Sequence, residues 1–170
     1  MARTRKTQDK DAIALLKEDH QKVRGLLSEL EETTERASDK REKLLATIEQ
    51  ELKIHTKIEE EIFYPAFRDA AQKKADKDLY YEALEEHHVV DLVLPEIKET
   101  DADSEEFGAK AKVLKDLVEH HAEEEETEMF PRAQKLMDRE ELLRLGGELA
   151  TAKESMARGT QGRLAGRLGG

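Results

Sequence analysis

Apolar residues recur every three or four positions through four long stretches, a period that selects the α-helix and forces each helix to bury one stripe. Ile13, Leu16, Val23, Leu26, Leu27 and Leu30 mark the first stretch. Leu44, Leu45, Ile48, Leu52, Ile58 and Ile62 mark the second; Tyr80, Leu84, Val90, Val93, Leu94 and Ile97 mark the third. Phe107, Ala111, Leu114, Leu117 and Val118 mark the fourth. Charged residues at 41% supply the solvated faces, while 4% aromatics and three prolines argue against an all-β sandwich or barrel. At 170 residues the chain is one domain with one sizeable core. The expected fold is all-α: an up-down-up-down antiparallel four-helix bundle with an additional short C-terminal helix.

Local signals place the boundaries. Asp39 with Glu42, and Asp103 with Glu106, have the spacing of a capping box at a helix start. Asp138 with Glu141 opens the short fifth helix, which carries Leu142, Leu145, Leu149 and Met156. The polar stretch from Arg68 to Asp78 reads as a connection, and Pro65 and Pro131 should disrupt the helices before them. Pro95 should bend the third helix. Residues 1–9 read as a flexible basic N-terminus, 10–157 as the bundle plus C-terminal helix, and 158–170 as a Gly/Arg-rich disordered tail.

A net charge of −11 makes nucleic acid and anionic membranes poor partners. No run approaches the roughly 20 apolar residues that span a bilayer, and the basic start Met1–Lys6 lacks the apolar core of a secretory signal. Cysteine is absent, which removes disulfides, thiolate metal sites and cysteine nucleophiles. The expectation is a cytoplasmic monomer.

Polar residues interrupt the stripes at matched places. His20, His55, His87 and His121 stand where the period calls for apolar side chains. Glu59 and Glu125 each follow a histidine by four residues, so His-x-x-x-Glu aims an imidazole and a carboxylate at one point. The sequence midpoints between successive histidines are Ala37/Ser38, Ala71 and Ser104, all in expected turns. Antiparallel neighbours therefore carry the histidines at one height. Nitrogen and oxygen donors converging from four helices describe a metal site, since a buried carboxylate is costly unless its charge is compensated.

The chain also repeats itself. Glu18-Asp19-His20 matches Glu85-Glu86-His87, and His55-x-x-x-Glu59-Glu60 running into Phe63-Tyr64-Pro65 matches His121-x-x-x-Glu125-Glu126 running into Met129-Phe130-Pro131. Two such hairpins fit two similarly ligated metal ions better than one. The offsets put His87 and His121 inward and leave their neighbours His88 and His120 outside. Glu123, Glu124 and Glu126 read as a solvated face, and Tyr64 as a residue closing the core. Asp19, Glu60 and Glu86 either orient the histidines or face water.

Asp19-His20, His55-x-x-x-Glu59-Glu60, Glu86-His87 and His121-x-x-x-Glu125-Glu126 together resemble the hemerythrin-like HHE cation-binding domains. The resemblance implies a non-heme di-iron centre: two iron ions, oxo- or hydroxo-bridged, held by His20, His55, Glu59, His87, His121 and Glu125. It departs from the oxygen-carrying members, which add a His-x-x-x-His pair on the third helix; here Ala83 and Asp91 flank His87 at those distances. Two six-coordinate irons offer about twelve positions, of which bridging glutamates, histidines and an oxo bridge fill about ten. The open positions suit dioxygen, peroxide or nitric oxide. Reaction with dioxygen or peroxide is the leading expectation, and any enzyme activity would be that of a di-iron oxidoreductase. An iron or oxygen sensor whose metal occupancy sets stability, a reversible oxygen carrier, an iron store and a metal-free structural protein are the alternatives.

Overall fold

The computed structural model describes residues 10–167, all of it helix, turn or connection with no strand among the described residues. Its helices are α1 (Ala12–Glu31), α2 (Ser38–Ile58), α3 (Tyr64–Ala70), α4 (Lys74–Lys98), α5 (Glu105–Glu124), α6 (Phe130–Leu136) and α7 (Arg139–Arg167). A π-helical turn at Glu59–Phe63 joins α2 to α3, and another at Glu125–Met129 joins α5 to α6. Among the described residues no helix is long and apolar enough to cross a membrane.

Four helices close a ring: α1 packs against α2 and α5, and α4 packs against α5 and α2. Two apolar clusters fill it. One gathers Leu16, Ile58, Phe63, Phe67 and Phe130 with Leu142, Leu145 and Leu149 of α7; the other gathers Leu27, Ile48, Leu94, Phe107 and Leu114. Along each ring helix a histidine lies between the residues of the two clusters. The chain thus runs from the first cluster to the second on α1, back on α2, and repeats this on α4 and α5.

Several boundaries differ from the local signals. Asp39 does not cap α2, because a 3-10 turn at Glu35–Ala37 feeds directly into it; Asp39 lies in the first turn, where its charge favours the helix dipole. Ser104 rather than Asp103 caps α5, its hydroxyl accepting from the Phe107 amide at 3.1 Å. Asp138 does cap, accepting from the Glu141 amide at 2.9 Å. The connection expected from Arg68 to Asp78 contracts to residues 71–73, since α3 runs to Ala70 and α4 starts at Lys74.

Neither Pro65 nor Pro131 ends its helix. Each sits early in the following helix after a π turn, where the Tyr64 amide donates to Glu59 O and the Phe130 amide to Glu125 O. Widening the turn removes the clash a proline ring would make with the carbonyl four residues back. The fifth helix is not short: α7 has 29 residues and runs through most of the stretch assigned to a disordered tail from 158. Arg, Leu, Ala and Gln in Gln161–Arg167 are good helix formers, which offsets the interspersed glycines. The expected flexible N-terminus, 1–9, and the last residues, 168–170, lie outside the described residues.

Helix α7 lies against α1 and α2. At Gly146 a Cβ would come within 2.2 Å of the Lys10 carbonyl, so the approach of α7 to the start of α1 requires glycine there. At the far end the buried Arg41 guanidinium donates to Thr33 O, Ala102 O and Ser104 O at 2.9–3.1 Å, tying two connections together.

Candidate metal centre

Between the two apolar clusters lies one buried polar layer. His20 comes from α1, His55 from α2 with Glu59 at the start of its π turn, His87 from α4, and His121 from α5 with Glu125 at the start of the second π turn. All six expected residues are brought together there. His88 and His120 face outward.

The donor atoms form two groups that share Glu59. His20, His55, Glu59 and Glu125 make the first, and Glu59, His87 and His121 the second; in each, the ligand atoms lie within 4.8 Å of one another. One Glu59 oxygen, Oε1, is 3.1 Å from His55 Nε2, and the other, Oε2, is 3.3 Å from His87 Nε2. Glu125 Oε2 lies 3.1 Å from His20 Nε2 and 3.6 Å from His121 Nε2. The carboxylates are thus placed between the groups, as bridges would be.

Four of these atoms are buried with no hydrogen-bond partner: His20 Nε2, His55 Nε2, Glu59 Oε1 and Glu125 Oε2. They are the donor set of the first group. A native interior rarely leaves even one buried polar group unsatisfied, and here four converge. Nitrogen and carboxylate oxygen at one point suit a divalent transition metal, so the residues fit the group that the resemblance implies.

Each imidazole is oriented from behind by a carboxylate on its other nitrogen, which directs Nε2 inward. His20 Nδ1 is 2.8 Å from Glu126, His55 Nδ1 3.5 Å from Asp19, His87 Nδ1 2.8 Å from Glu60, and His121 Nδ1 2.6 Å from Glu86. The pattern follows the repeat. The residue before a lone histidine backs the histidine of the next helix, and the residue after a ligand glutamate backs the lone histidine of the other hairpin. Glu126 therefore does not merely face water; the repeat equates it with Glu60, which was the available signal.

Tyr64 is the second residue that the stripes undervalue. It is fully buried, donates to Glu125 Oε1 at 2.8 Å, and its hydroxyl lies 3.2 Å from His87 Nε2. Its ring stacks on His87 with centroids 5.4 Å apart, as Phe130 stacks on His20 at 5.8 Å. The repeat pairs these two positions, so one half of the layer has a phenol where the other has a plain ring.

The halves differ in charge as well. Arg24 donates to Glu126 at 2.8 Å, and Lys153 of α7 donates to Asp19, so cations neutralise both carboxylates behind the first group. Among the described residues no Lys or Arg pairs with Glu60 or Glu86, behind the second. The equal halves expected from the repeat are unequal, because Arg24 has Asp91 at its repeat position and Lys153 comes from α7, outside the repeated segments.

Burial works against a charged imidazole at His55, but Glu59 and Asp19 outweigh it and raise His55 to about 10. His121 is raised to about 9 against burial, by Glu125, Glu86 and Glu59. Glu59, despite its burial, is held well below the usual carboxylate range by His55 and His87. Burial, then Glu125 and Glu59, pushes the Tyr64 phenol well up, keeping it a donor. These shifts favour charged imidazoles beside the carboxylates, and a metal bound there would have to displace protons.

A helical frame with converging histidine and carboxylate donors defines a metal-binding protein. The family description "Hemerythrin HHE cation binding domain" matches residues 11–133, and the chain belongs to that family. It is similar to the crystal structure of a hemerythrin HHE cation-binding domain-containing protein from Mycobacterium kansasii, with 28% identity, a TM-score of 0.79, and coverage of 92% of this chain and 93% of that one. A protein named DNA nickase from Nostoc sp. is 27% identical over 163 residues, which is 96% of this chain but only 44% of that relative.

Proposed function

We propose that this chain is a non-heme di-iron protein that reacts with dioxygen or peroxide, built on an up-down-up-down four-helix bundle with a C-terminal helix. The observation that carries this reading is the set of four partnerless buried donors beside a second group sharing Glu59. His20, His55, Glu59 and Glu125 would hold one ion, and Glu59, His87 and His121 the other. Two irons would supply reversible one-electron changes and Lewis acidity at adjacent points.

The chain's own side chains set the conditions. Outer carboxylates fix the imidazoles, Phe130 and Tyr64 cover His20 and His87, and Ile58 and Val90 keep bulk water from the layer. Tyr64, as a phenol held protonated, places a hydrogen-bond donor on Glu125. Ala83 and Asp91 leave the third ring helix without a second histidine ligand, which favours reaction over reversible carriage. Nucleic acid is not part of this reading, since the net charge of −11 opposes phosphate.

The test is iron content after anaerobic loading, followed by oxygen-electrode measurements on adding peroxide. Two irons per chain and dioxygen release are expected. Glu59→Ala and Glu125→Ala should each cut iron content sharply, while Glu123→Ala, at an exposed position, should not. One iron or none in the parent would refute the dinuclear reading, and equal losses at Glu123 and Glu125 would refute the ligand set.

A further inference from the structure

A second cluster of ligand-type side chains lies outside the buried layer, on the face shared by α4 and α5. His120 Nε2 is 3.5 Å from Glu86 Oε1 and 3.6 Å from Glu124 Oε2, and the three present donor atoms within 4.8 Å of one another. Glu82 stands beside Glu124. Among the described residues no Lys or Arg pairs with any of these carboxylates. Glu106 and Glu119 of α5 each have a lysine partner four residues away, whereas this concentration of carboxylates around an imidazole has none among the described residues.

Two further observations point inward. A small cavity of about 10 Å³, room for one water-sized species, is lined by Glu86, Glu124 and Glu125 with Leu79, Ala83 and Met129. Glu125 is 2% exposed and its Oε2 is one of the four partnerless donors. The cavity therefore lies between two members of the outer cluster, Glu86 and Glu124, and the ligand Glu125. Glu86 also spans both, with Oε1 toward His120 and Oε2 on His121 Nδ1 at 2.6 Å. On the opposite side Arg24 and Lys153 stand over the outer carboxylates, where they repel an approaching cation.

We propose that Glu86, His120 and Glu124, with Glu82 beside them, form an outer divalent-cation site that captures metal ions and feeds them past Glu86 and Glu125 into the buried centre. This feeding step rests on the di-iron reading above; the outer site itself does not. Transfer needs no redox change. The ion exchanges outer carboxylate and imidazole ligands for inner ones.

The experiment uses the full-length metal-free chain and the double variant His120→Ala/Glu124→Gln, both at exposed or half-exposed positions. Manganese(II) titration followed by electron paramagnetic resonance should show one weak site in the parent beyond those of the buried centre, lost in the double variant. Anaerobic stopped-flow loading with limiting ferrous iron should then be about tenfold slower in the double variant, the scale of electrostatic steering, with the final iron content unchanged. Glu123→Gln removes one charge next door and should load at the parent rate.

A parent without the weak manganese site overturns the proposal, as does a double variant that loads at the parent rate. A double variant with reduced final iron content also overturns it, by making these residues part of the buried hold. A parent that keeps the outer manganese but takes up no iron inside refutes the di-iron reading, and with it the feeding step alone.

Discussion

Filling the buried centre should release protons, and their number can be worked out from the layer's charges. Near pH 7.5 the metal-free chain holds a proton on His55, raised to about 10, and one on His121, raised to about 9. An imidazole must be neutral to bind metal through Nε2 while its Nδ1 donates to Asp19 or Glu86. Each filled centre should therefore expel about two protons, and affinity should rise by up to about a hundredfold per pH unit below 9. Stability of the metal-free chain runs the other way. The raised imidazoles contribute fully below their unfolded value near 6.5, and that contribution is lost as the pH climbs through about 9 and about 10. Glu59, held low, contributes above its unfolded value of 4.5 and loses this as the pH falls. Calorimetric titration with cobalt(II) at pH 7.5, in buffers of different ionisation enthalpy, measures the protons directly. Thermal melts from pH 6.5 to 9 should show a metal-induced rise in Tm that grows with pH. Binding with no proton release, or a Tm gain that is flat in pH, would refute the idea that protons occupy the metal's place.

Three further outcomes are expected. His87→Ala and His121→Ala should lose iron by elemental analysis, whereas His88→Ala should retain it; the reverse would show a one-residue error in the register of α4. Tyr64→Phe installs the ring that the repeat carries at 130 and removes the hydrogen bond to Glu125, which should cost the metal-free chain about 1–2 kcal/mol. A melt unchanged within 1 °C (about a quarter to half a kcal/mol here) would show that this bond contributes nothing. Gly146→Ala should destabilise by about 1–3 kcal/mol, since its Cβ would meet Lys10 O, while Gly147→Ala, with nothing within 4 Å, should stabilise by about 0.5–1 kcal/mol. Denaturant titrations of equal sign for the two glycine variants would refute the α1–α7 packing.

The bundle was legible because its determinants are local or periodic. The histidine midpoints Ala37/Ser38, Ala71 and Ser104 fall at the start of α2, the end of α3 and the cap of α5, so sequence distance alone levelled the four histidines. What escaped depends on contacts between distant positions. Glu126 reaches His20 across 106 residues and Lys153 reaches Asp19 across 134, and no window of sequence holds both partners. Tyr64 looked like its repeat mate Phe130, a ring closing the core, because the stripe records burial and not a hydroxyl's target. The cap at Ser104 was one residue from Asp103, a distance over which two good cap residues compete and the loop's path decides.

The π turns at Glu59 and Glu125 have a consequence for how tightly this layer can be drawn. In a regular helix each residue advances by about 100°, so a side chain five positions on points well away from the first. Inside each wide turn that phase is reset: Glu59 and Tyr64, five apart, meet at the same point, and Phe130, five after Glu125, stacks on Glu125's histidine neighbour His20. Each helix therefore works as a ruler with one dropped graduation, reading His-to-Glu in steps of four above the slip and Glu-to-ring in a step of five across it. Deleting a single residue within the turn, Glu61 for instance, would restore the even graduations and leave Glu59 and Tyr64 four apart on a regular helix, still on one face. Tyr64 and Phe67 would keep their side of the helix, and the cost would fall on Pro65, whose ring would then meet the carbonyl that the wide turn moves out of its way.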